Sequence, residues 1–183
     1  FGGKTTHMAA LMGGSGEVVA VDSSAWKLEE LKKNCGRQGI SGISTVSGDL
    51  LNLSPAEIGP FDRVLLDAPC TGFGTLRRNP DIKWRRHPKD PYRFSQLQKR
   101  YIDKAAELVR EGGVLVYATC SPFREENEEV AEHFTAAHPG WTQEAAGDFL
   151  PESCRAMTSG GYFRSRPDLH DMDGFFGARW RRG

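Results

Sequence analysis

An α/β fold built on a mostly parallel sheet is predicted by three features of the sequence. Short apolar runs alternate with amphipathic segments along the whole chain, the rhythm of strands joined by crossover helices. Two of those runs, "FDRVLLDAP" and "VLVYATC", have the unbroken apolar character of strands covered on both faces. Each ends on residues that carry chemistry, Asp67 and Cys70 after the first and Thr119 and Cys120 after the second.

At 183 residues the chain is the size of one domain. "GGKTTHMAALMG" reads as a glycine turn running into a helix that Gly13 and Gly14 stop. In a doubly wound fold such a turn follows the first, central strand, and the helix N-terminus behind it faces an anionic group. No strand precedes Phe1, so the first strand is expected to be missing and the segment 1–183 to be a domain truncated at its N-terminus. "EVVAVD" is a short buried strand ending at Asp22, and "SAWKLEELKKNCGRQG" a helix with an N-capping Ser24 and a C-terminal glycine. "GISTVSGD" supplies the next strand and ends at Asp49, and "FDRVLLDAP" follows as a central one. "PYRFSQLQKRYIDKAAELVREGG" is a long helix from Pro91 to the glycine pair, delivering the chain into "VLVYATC". "ENEEVAEHFTAAHP" is a further helix, "GWTQEAA" a strand and "DGFFGARWRR" the closing strand.

Hydrophobic residues make up 38% and charged residues 26% of the chain, the balance of a protein folded in water. No apolar run approaches the roughly 18–20 residues that cross a bilayer, and no charged-then-apolar leader opens the chain. A cytoplasmic protein without a membrane partner is expected. Lys and Arg together match Asp and Glu at 24 each, so the net charge announces no polyanion, but its distribution does. Between Arg77 and Arg100 stand nine basic residues against Asp81 and Asp90, a segregation able to steer a polyanion to one face. The four cysteines form no CxxC pair and do not cluster with histidine, so no metal site is expected, and nothing points to a disulfide framework. Cys35, at a helix end, reads as a packing residue.

Asp22 is placed either to hold ribose hydroxyls or to cap the helix that follows it. Asp49, at the next strand end, is placed to address an adenine amino group. In "RRNPDIKWRR" the basic side chains suit phosphates, while Trp84 either stacks on a base or anchors the loop in the core.

"DAPCTGFG", "RRNPDIKW", "YATCSPFREENE" and "DGFFGA" together resemble the Sun (Fmu) family of RNA 5-methylcytosine methyltransferases, in order and over nearly the whole chain. "PDIKW" resembles the ribosomal-RNA branch in particular. The resemblance implies a Rossmann-like S-adenosylmethionine-dependent methyltransferase fold, with a mostly parallel sheet and an antiparallel last strand. It also implies an RNA-binding domain upstream. Family members usually read Pro-Gly-Gly-Lys where this chain opens with Phe1-Gly2-Gly3-Lys4, so the first half of the cofactor loop is not in view.

Carbon 5 of cytosine is a poor nucleophile until a thiolate adds at carbon 6 and turns the ring into an enamine. By resemblance Cys120 is that thiolate and Cys70 assists its later release, while Asp67 holds the amino edge and the protonated ring nitrogen. The implied cofactor contacts are Gly2, Gly3, Lys4, Asp22, Lys27, Asp49 and Asp67. Lys4 either neutralises the cofactor carboxylate or faces the base. Arg77, Arg78, Asn79 and Lys83 are the implied RNA contacts, with ribosomal RNA of the small subunit the expected substrate and a monomer the expected state. The alternatives are a transfer-RNA 5-methylcytosine methyltransferase and a non-catalytic RNA-binding scaffold, neither of which excludes the same fold. An amino-group methyltransferase would place a second proline where Cys70 stands, and a nicotinamide dehydrogenase gives no reason for two strand-end cysteines.

Overall fold

The computed structural model describes residues 2–183, so Phe1, where the expected cofactor loop opens, lies outside the described residues. Its elements are α1 (Gly3–Leu11), β1 (Val18–Asp22), α2 (Ala25–Gln38), β2 (Ile43–Ser47), α3 (Pro55–Ile58), β3 (Phe61–Asp67), α4 (Ile82–Arg85), α5 (Asp90–Glu107), β4 (Val109–Thr119), α6 (Glu128–Ala137), β5 (Trp141–Glu144), β6 (Thr158–Ser159), β7 (Tyr162–Ser165), α7 (Pro167–His170) and β8 (Phe175–Arg182). The chain divides after Ser54 into two compact units. No helix among the described residues is long and apolar enough to cross a membrane.

The first unit is a β–α–β crossover preceded by α1. β1 and β2 pair in parallel, Val18 opposite Ile43 through Asp22 opposite Ser47. Every residue of β1 is half-buried rather than buried as expected, because β2 is its only hydrogen-bonded neighbour among the described residues. Leu28, Leu31 and Cys35 form the buried stripe of α2, so Cys35 is the packing residue its position suggested. Ser24 stands at the N-cap of α2 but does not cap with its hydroxyl. Its own amide donates to Asp22 Oδ1 (2.8 Å), an Asx turn in which the strand-end carboxylate starts the helix. Gly2, at the entrance to α1, has φ 83°, and a Cβ there would run into Leu31. Glycine is therefore required at that position on two counts.

The second unit holds a six-stranded sheet in the order β3-β4-β8-β7-β6, with β5 on the same edge of β8 as β7. β3 and β4 are parallel, and β8, the last strand, runs antiparallel to β4, as expected. The far edge of β8 is shared. Its first half pairs with β7 (Phe175 to Gly177) and its second half with β5 (Arg179 to Arg182). The β6–β7 hairpin, turned by Gly160 and Gly161, was not visible in the sequence because it has two and four residues and no apolar alternation.

α5 ends earlier than expected. It stops at Glu107, and β4 has begun by Val109, opposite Phe61. The register then jumps, with Val114 opposite Arg63, so residues 110–113 bulge out of the strand. The glycine pair serves this bulge and not the helix stop: Gly112 has φ 71°, and a Cβ on Gly113 would crowd the Arg110 carbonyl oxygen (2.8 Å).

Helices α5 and α6 cover the sheet. Ile102, Ala105, Val109, Leu115, Tyr117, Val130, Ala131, Phe134 and Trp180 are completely buried. Phe134 meets the rings of Trp141 and Trp180 edge-on at 5.3 and 4.9 Å, and the Trp180 indole N–H donates to Thr135 Oγ1 (3.0 Å), so the large aromatic carries no unpaired donor inside. Glu144 fastens β5 to β8 through Arg179 (2.6 Å) and Arg181 (2.8 Å). Partial burial pushes its carboxyl upward, but the two guanidiniums outweigh this and hold it below the ordinary value. Its contribution to stability is accordingly present above the ordinary glutamate range and is lost as pH falls through the lowered value. Glu144→Gln is expected to flatten the acid limb of a stability-against-pH curve while leaving its alkaline limb in place. Urea melts at a series of pH values check this.

Candidate active site

β3 and β4 are adjacent parallel strands, so their C-terminal ends open at the same edge of the sheet, the place where α/β folds put ligands. Asp67 is opposite Ala118 in the last register pair, and the Ala68 amide extends the ladder to the Ala118 carbonyl (2.9 Å). Cys70 and Cys120 therefore follow two neighbouring strand ends. Their sulfurs lie 3.3 Å apart, a hydrogen bond between two half-buried side chains. The bond to Cys120, then burial, pushes the Cys70 thiol far above its ordinary range. Cys70 is thus held towards its protonated form, and the two sulfurs are close enough to share one hydrogen bond, in which either can donate.

A single carboxylate joins the two loops. Glu126 is fully buried. Its Oε1 accepts from the Thr71 amide (2.8 Å) and Gln98 Nε2 (3.2 Å), and its Oε2 from Thr71 Oγ1 (2.6 Å) and Ser121 Oγ. Thr71 and Ser121 are the residues immediately after the two cysteines, so each thiol's neighbour is tied to the same acid. Gln98 also donates to the Pro69 carbonyl (2.8 Å), just before Cys70. On the other loop, Asn127 accepts from Thr119 Oγ1 (2.6 Å) and donates to the Ser121 carbonyl (2.8 Å), gripping both sides of Cys120. The Tyr117 hydroxyl, whose pKa burial raises well above its ordinary value, donates to the Glu126 carbonyl (2.6 Å). A buried carboxylate with four donors is the arrangement that makes such burial tolerable.

Gly74 adds a third tie. Its amide donates to the Cys120 carbonyl (2.9 Å), and its carbonyl accepts from Gly174 (2.7 Å). A Cβ at this position would overlap the Gly174 carbonyl and crowd that of Cys120 (2.9 Å). Gly74→Ala is expected to cost about 1–3 kcal/mol of stability through overpacking, and to lower turnover because the Cys120 backbone must shift. Thermal melts and initial rates on one preparation measure the two effects.

Glu126, Asn127, Gln98, Thr71 and Ser121 were all missed in the sequence. "ENEEVAEHFTAAHP" reads as a helix throughout, but residues 124–126 form a 3-10 turn before α6, and Glu126 and Asn127 are completely buried. The one available signal was the hydroxyl residue after each cysteine.

Asp67 is exposed at the end of β3. Gly2, Gly3 and Lys4 lie at the entrance and first turn of α1. Asp22 serves the cap noted above and also pairs with Lys27 Nζ (3.3 Å), the two side chains about a third and a half exposed. Asp49 starts a 3-10 turn by accepting the Leu51 amide (3.1 Å). Of the basic loop residues, Arg77 and Arg78 pair with Asp171 (3.0 Å) and Asp173 (3.1 Å), and Asn79 donates to Thr75 Oγ1 (3.2 Å). Lys83 Nζ sits 5.0 Å over the Trp84 ring. Trp84 is 79% exposed, which removes the reading of it as a core anchor. Arg166 and His170 are occupied locally: the Arg166 amide donates to His170 Nδ1 (2.9 Å) and its guanidinium pairs with Asp168 (2.6 Å). Among the described residues no group of three or more His, Cys, Asp or Glu side chains is arranged to hold a metal ion.

A mixed α/β sheet with two thiols at neighbouring strand ends is the framework of a class of methyltransferases, and the comparisons with known proteins identify which. The chain belongs to the family described as 16S rRNA methyltransferase RsmB/F, whose model matches residues 1–181. It is 39% identical to a probable ribosomal RNA small subunit methyltransferase B of Synechocystis, over 99% of this chain and 41% of that one. The corresponding Bacillus subtilis protein is 37% identical over 96% of this chain and 40% of its own. Among solved structures, NSun6 from Pyrococcus horikoshii with SFG superposes with a TM-score of 0.82 at 32% identity, covering 99% of this chain and 45% of that one. The chain thus spans about two fifths of the curated relatives it matches.

Proposed function

We propose that this protein methylates carbon 5 of a cytosine in small-subunit ribosomal RNA, with S-adenosylmethionine as methyl donor. The observation that carries the proposal is the pair of thiols 3.3 Å apart, fixed by one buried carboxylate. Two strand-end cysteines in contact are more than packing requires, and they answer the two needs of cytosine chemistry, a nucleophile and a group that assists its release.

The donor set fits the cofactor. Asp22 and Asp49 supply acceptors at the ends of β1 and β2 for ribose hydroxyls and an adenine amino group, and Lys27 steadies Asp22. The first turn of α1, with Gly2, Gly3 and Lys4, offers amides and a cation to a carboxylate. When bound, the cofactor supplies an electrophilic methyl group. The chain's own residues do the rest. Cys120, as thiolate, adds to carbon 6 of the ring, and Asp67 stabilises the charge that develops at the ring nitrogen and amino edge. Once carbon 5 is methylated, its proton passes to a solvent base, the 5,6 double bond re-forms, and the bond from Cys120 to carbon 6 breaks with its electrons returning to the sulfur. The Cys70 thiol, 3.3 Å from the Cys120 sulfur, is placed to stabilise the departing thiolate with its proton.

The exposed Trp84 and the basic residues around it support an RNA substrate, with the target base splayed out of any stack. Arg77, Arg78, Asn79 and Lys83 are the assigned contacts. We place the protein in the cytoplasm, where that RNA is made, acting as a monomer. The test is to incubate the intact protein with unmodified small-subunit RNA, unmodified transfer RNA and methyl-labelled cofactor, then digest to nucleosides. Label in 5-methylcytidine from the small-subunit RNA is expected. Label confined to transfer RNA, to another nucleoside, or absent altogether overturns the assignment.

A further inference from the structure

Beyond the cysteines, α4 and the first turns of α5 border an open surface cavity of about 390 Å³ lined by Arg85, Arg86, Asp90, Arg93, Phe94 and Leu97. Three guanidiniums face one carboxylate, and that carboxylate is already spent: buried Asp90 accepts the His87 amide (2.9 Å) and Arg93 Nη1 (3.2 Å). Arg85 and Arg93 hold their side chains 77% exposed at the rim, and the nearest acid to Arg85 is Asp81 at 3.9 Å. The wall is aromatic and aliphatic, with Arg86 stacked 5.0 Å over the Phe94 ring. Trp84 and Tyr92, the residues just before Arg85 and Arg93, are among the most exposed large hydrophobic side chains of the protein.

This surplus of forked cations over a flat apolar wall, bordered by exposed rings, is the chemistry that takes a phosphodiester and an unstacked base together. Arg86 gives the cavity a second meaning. Its Nε donates to the Thr71 carbonyl (2.8 Å) and its Nη2 to the Cys70 carbonyl (3.3 Å), so one side chain belongs both to the cavity wall and to the loop that carries Cys70.

We propose that the cavity is a subsite for one nucleotide of the RNA flanking the target cytosine, its phosphate between Arg85 and Arg93 and its base or ribose against Phe94 and Leu97, with Arg86 coupling occupancy to the placement of Cys70. The inference rests on the RNA methyltransferase reading above and adds to it a recognition site outside the four contacts assigned there. Unlike Arg77 and Arg78, whose partners lie some ninety residues further along the chain, Arg85 has only a distant acid one helical turn away. Arg86 is a positioning residue here.

The experiment uses the intact protein and a short single-stranded RNA from the small-subunit sequence, with dissociation constants measured over a salt series and kcat and KM measured alongside. The Arg85→Ala, Arg93→Ala double variant is expected to bind about tenfold more weakly, with the slope of log affinity against log salt shallower by about one, and with the larger part of the kinetic loss in KM. Lysine at both positions is expected to retain the slope and recover part of the affinity. Arg86→Lys is expected to lower kcat by a larger factor than it weakens binding, because the hold on the Cys70 and Thr71 carbonyls is what it loses. Should the double variant disturb the start of α5, Arg85→Glu, on an exposed side chain, is expected to weaken binding by a similar factor. A double variant or Arg85→Glu with wild-type affinity and salt slope, in a protein whose wild type methylates RNA, overturns the subsite and leaves the activity standing. A wild type that neither binds nor methylates RNA overturns both.

Discussion

Cys120→Ala is expected to lower methylation by about four orders of magnitude or more, since removal of a covalent nucleophile leaves only binding and electrostatics. The loss belongs to chemistry and not to folding. Cys120 is half-buried, and the loop around it is held through Thr119, Ser121 and Asn127, none of which the substitution touches. Thermal melts should therefore change little, and cofactor binding should persist. A second readout follows from the bond between the sulfurs. The largest cause of the raised Cys70 pKa is its hydrogen bond to Cys120, so in Cys120→Ala the Cys70 thiol returns towards its ordinary range. Alkylation of Cys70 by iodoacetamide, followed by peptide mass spectrometry, should set in at lower pH than in the wild type. An unchanged pH profile would mean that the two sulfurs do not share the proton as described.

Glu126→Ala is expected to have the largest effect on stability. It leaves the Thr71 amide and hydroxyl, the Ser121 hydroxyl and one donation from Gln98 without their acceptor in a fully buried place. Buried donors stranded in this way cost about 1–3 kcal/mol each, with imperfect additivity, so a loss of roughly 4 kcal/mol is a moderate expectation. In a domain of this size that corresponds to a fall in Tm of roughly 10 °C. Glu126→Gln keeps the shape and two of the acceptor sites, so it should fold better than the alanine variant. It should still turn over slowly, because an amide cannot accept from both Thr71 and Ser121 at one end and from the Thr71 amide and Gln98 at the other. Calorimetry with parallel rate measurements separates these outcomes. Equal stability of all three proteins would show that the carboxylate does not hold the two loops.

The strand ends and the thiols were legible because both are local signals. An apolar run announces a strand, and parallel neighbours deliver their C-terminal residues to one edge whatever lies between them in sequence. Cys70 and Cys120, fifty residues apart, could be paired on that ground. Glu126 was not legible, because its partners Thr71 and Gln98 are 55 and 28 positions away and its own neighbours are acids that suggest solvent. The basic loop was half legible. Its charge was evident, but which arginines are engaged within the protein depends on Asp171 and Asp173 at the far end of the chain. The start of α2 was legible in part: Ser24 reads as the capping residue, whereas the cap is made by Asp22, which the sequence offered as a cap beside its ribose role. The end of α5 was misplaced because a bulge and a helix stop both use a glycine pair, and only the register of β3 against β4 tells them apart.

The central claim is that the touching cysteines divide nucleophile from release. The most direct test incubates the intact Cys70→Ala and Cys120→Ala proteins with unmodified small-subunit RNA and S-adenosylmethionine and resolves them on a denaturing gel. The account predicts that Cys70→Ala accumulates a protein–RNA adduct that survives denaturation, through Cys120, and that Cys120→Ala forms none. An adduct in Cys120→Ala, or none in either variant while the wild type methylates the RNA, would contradict it.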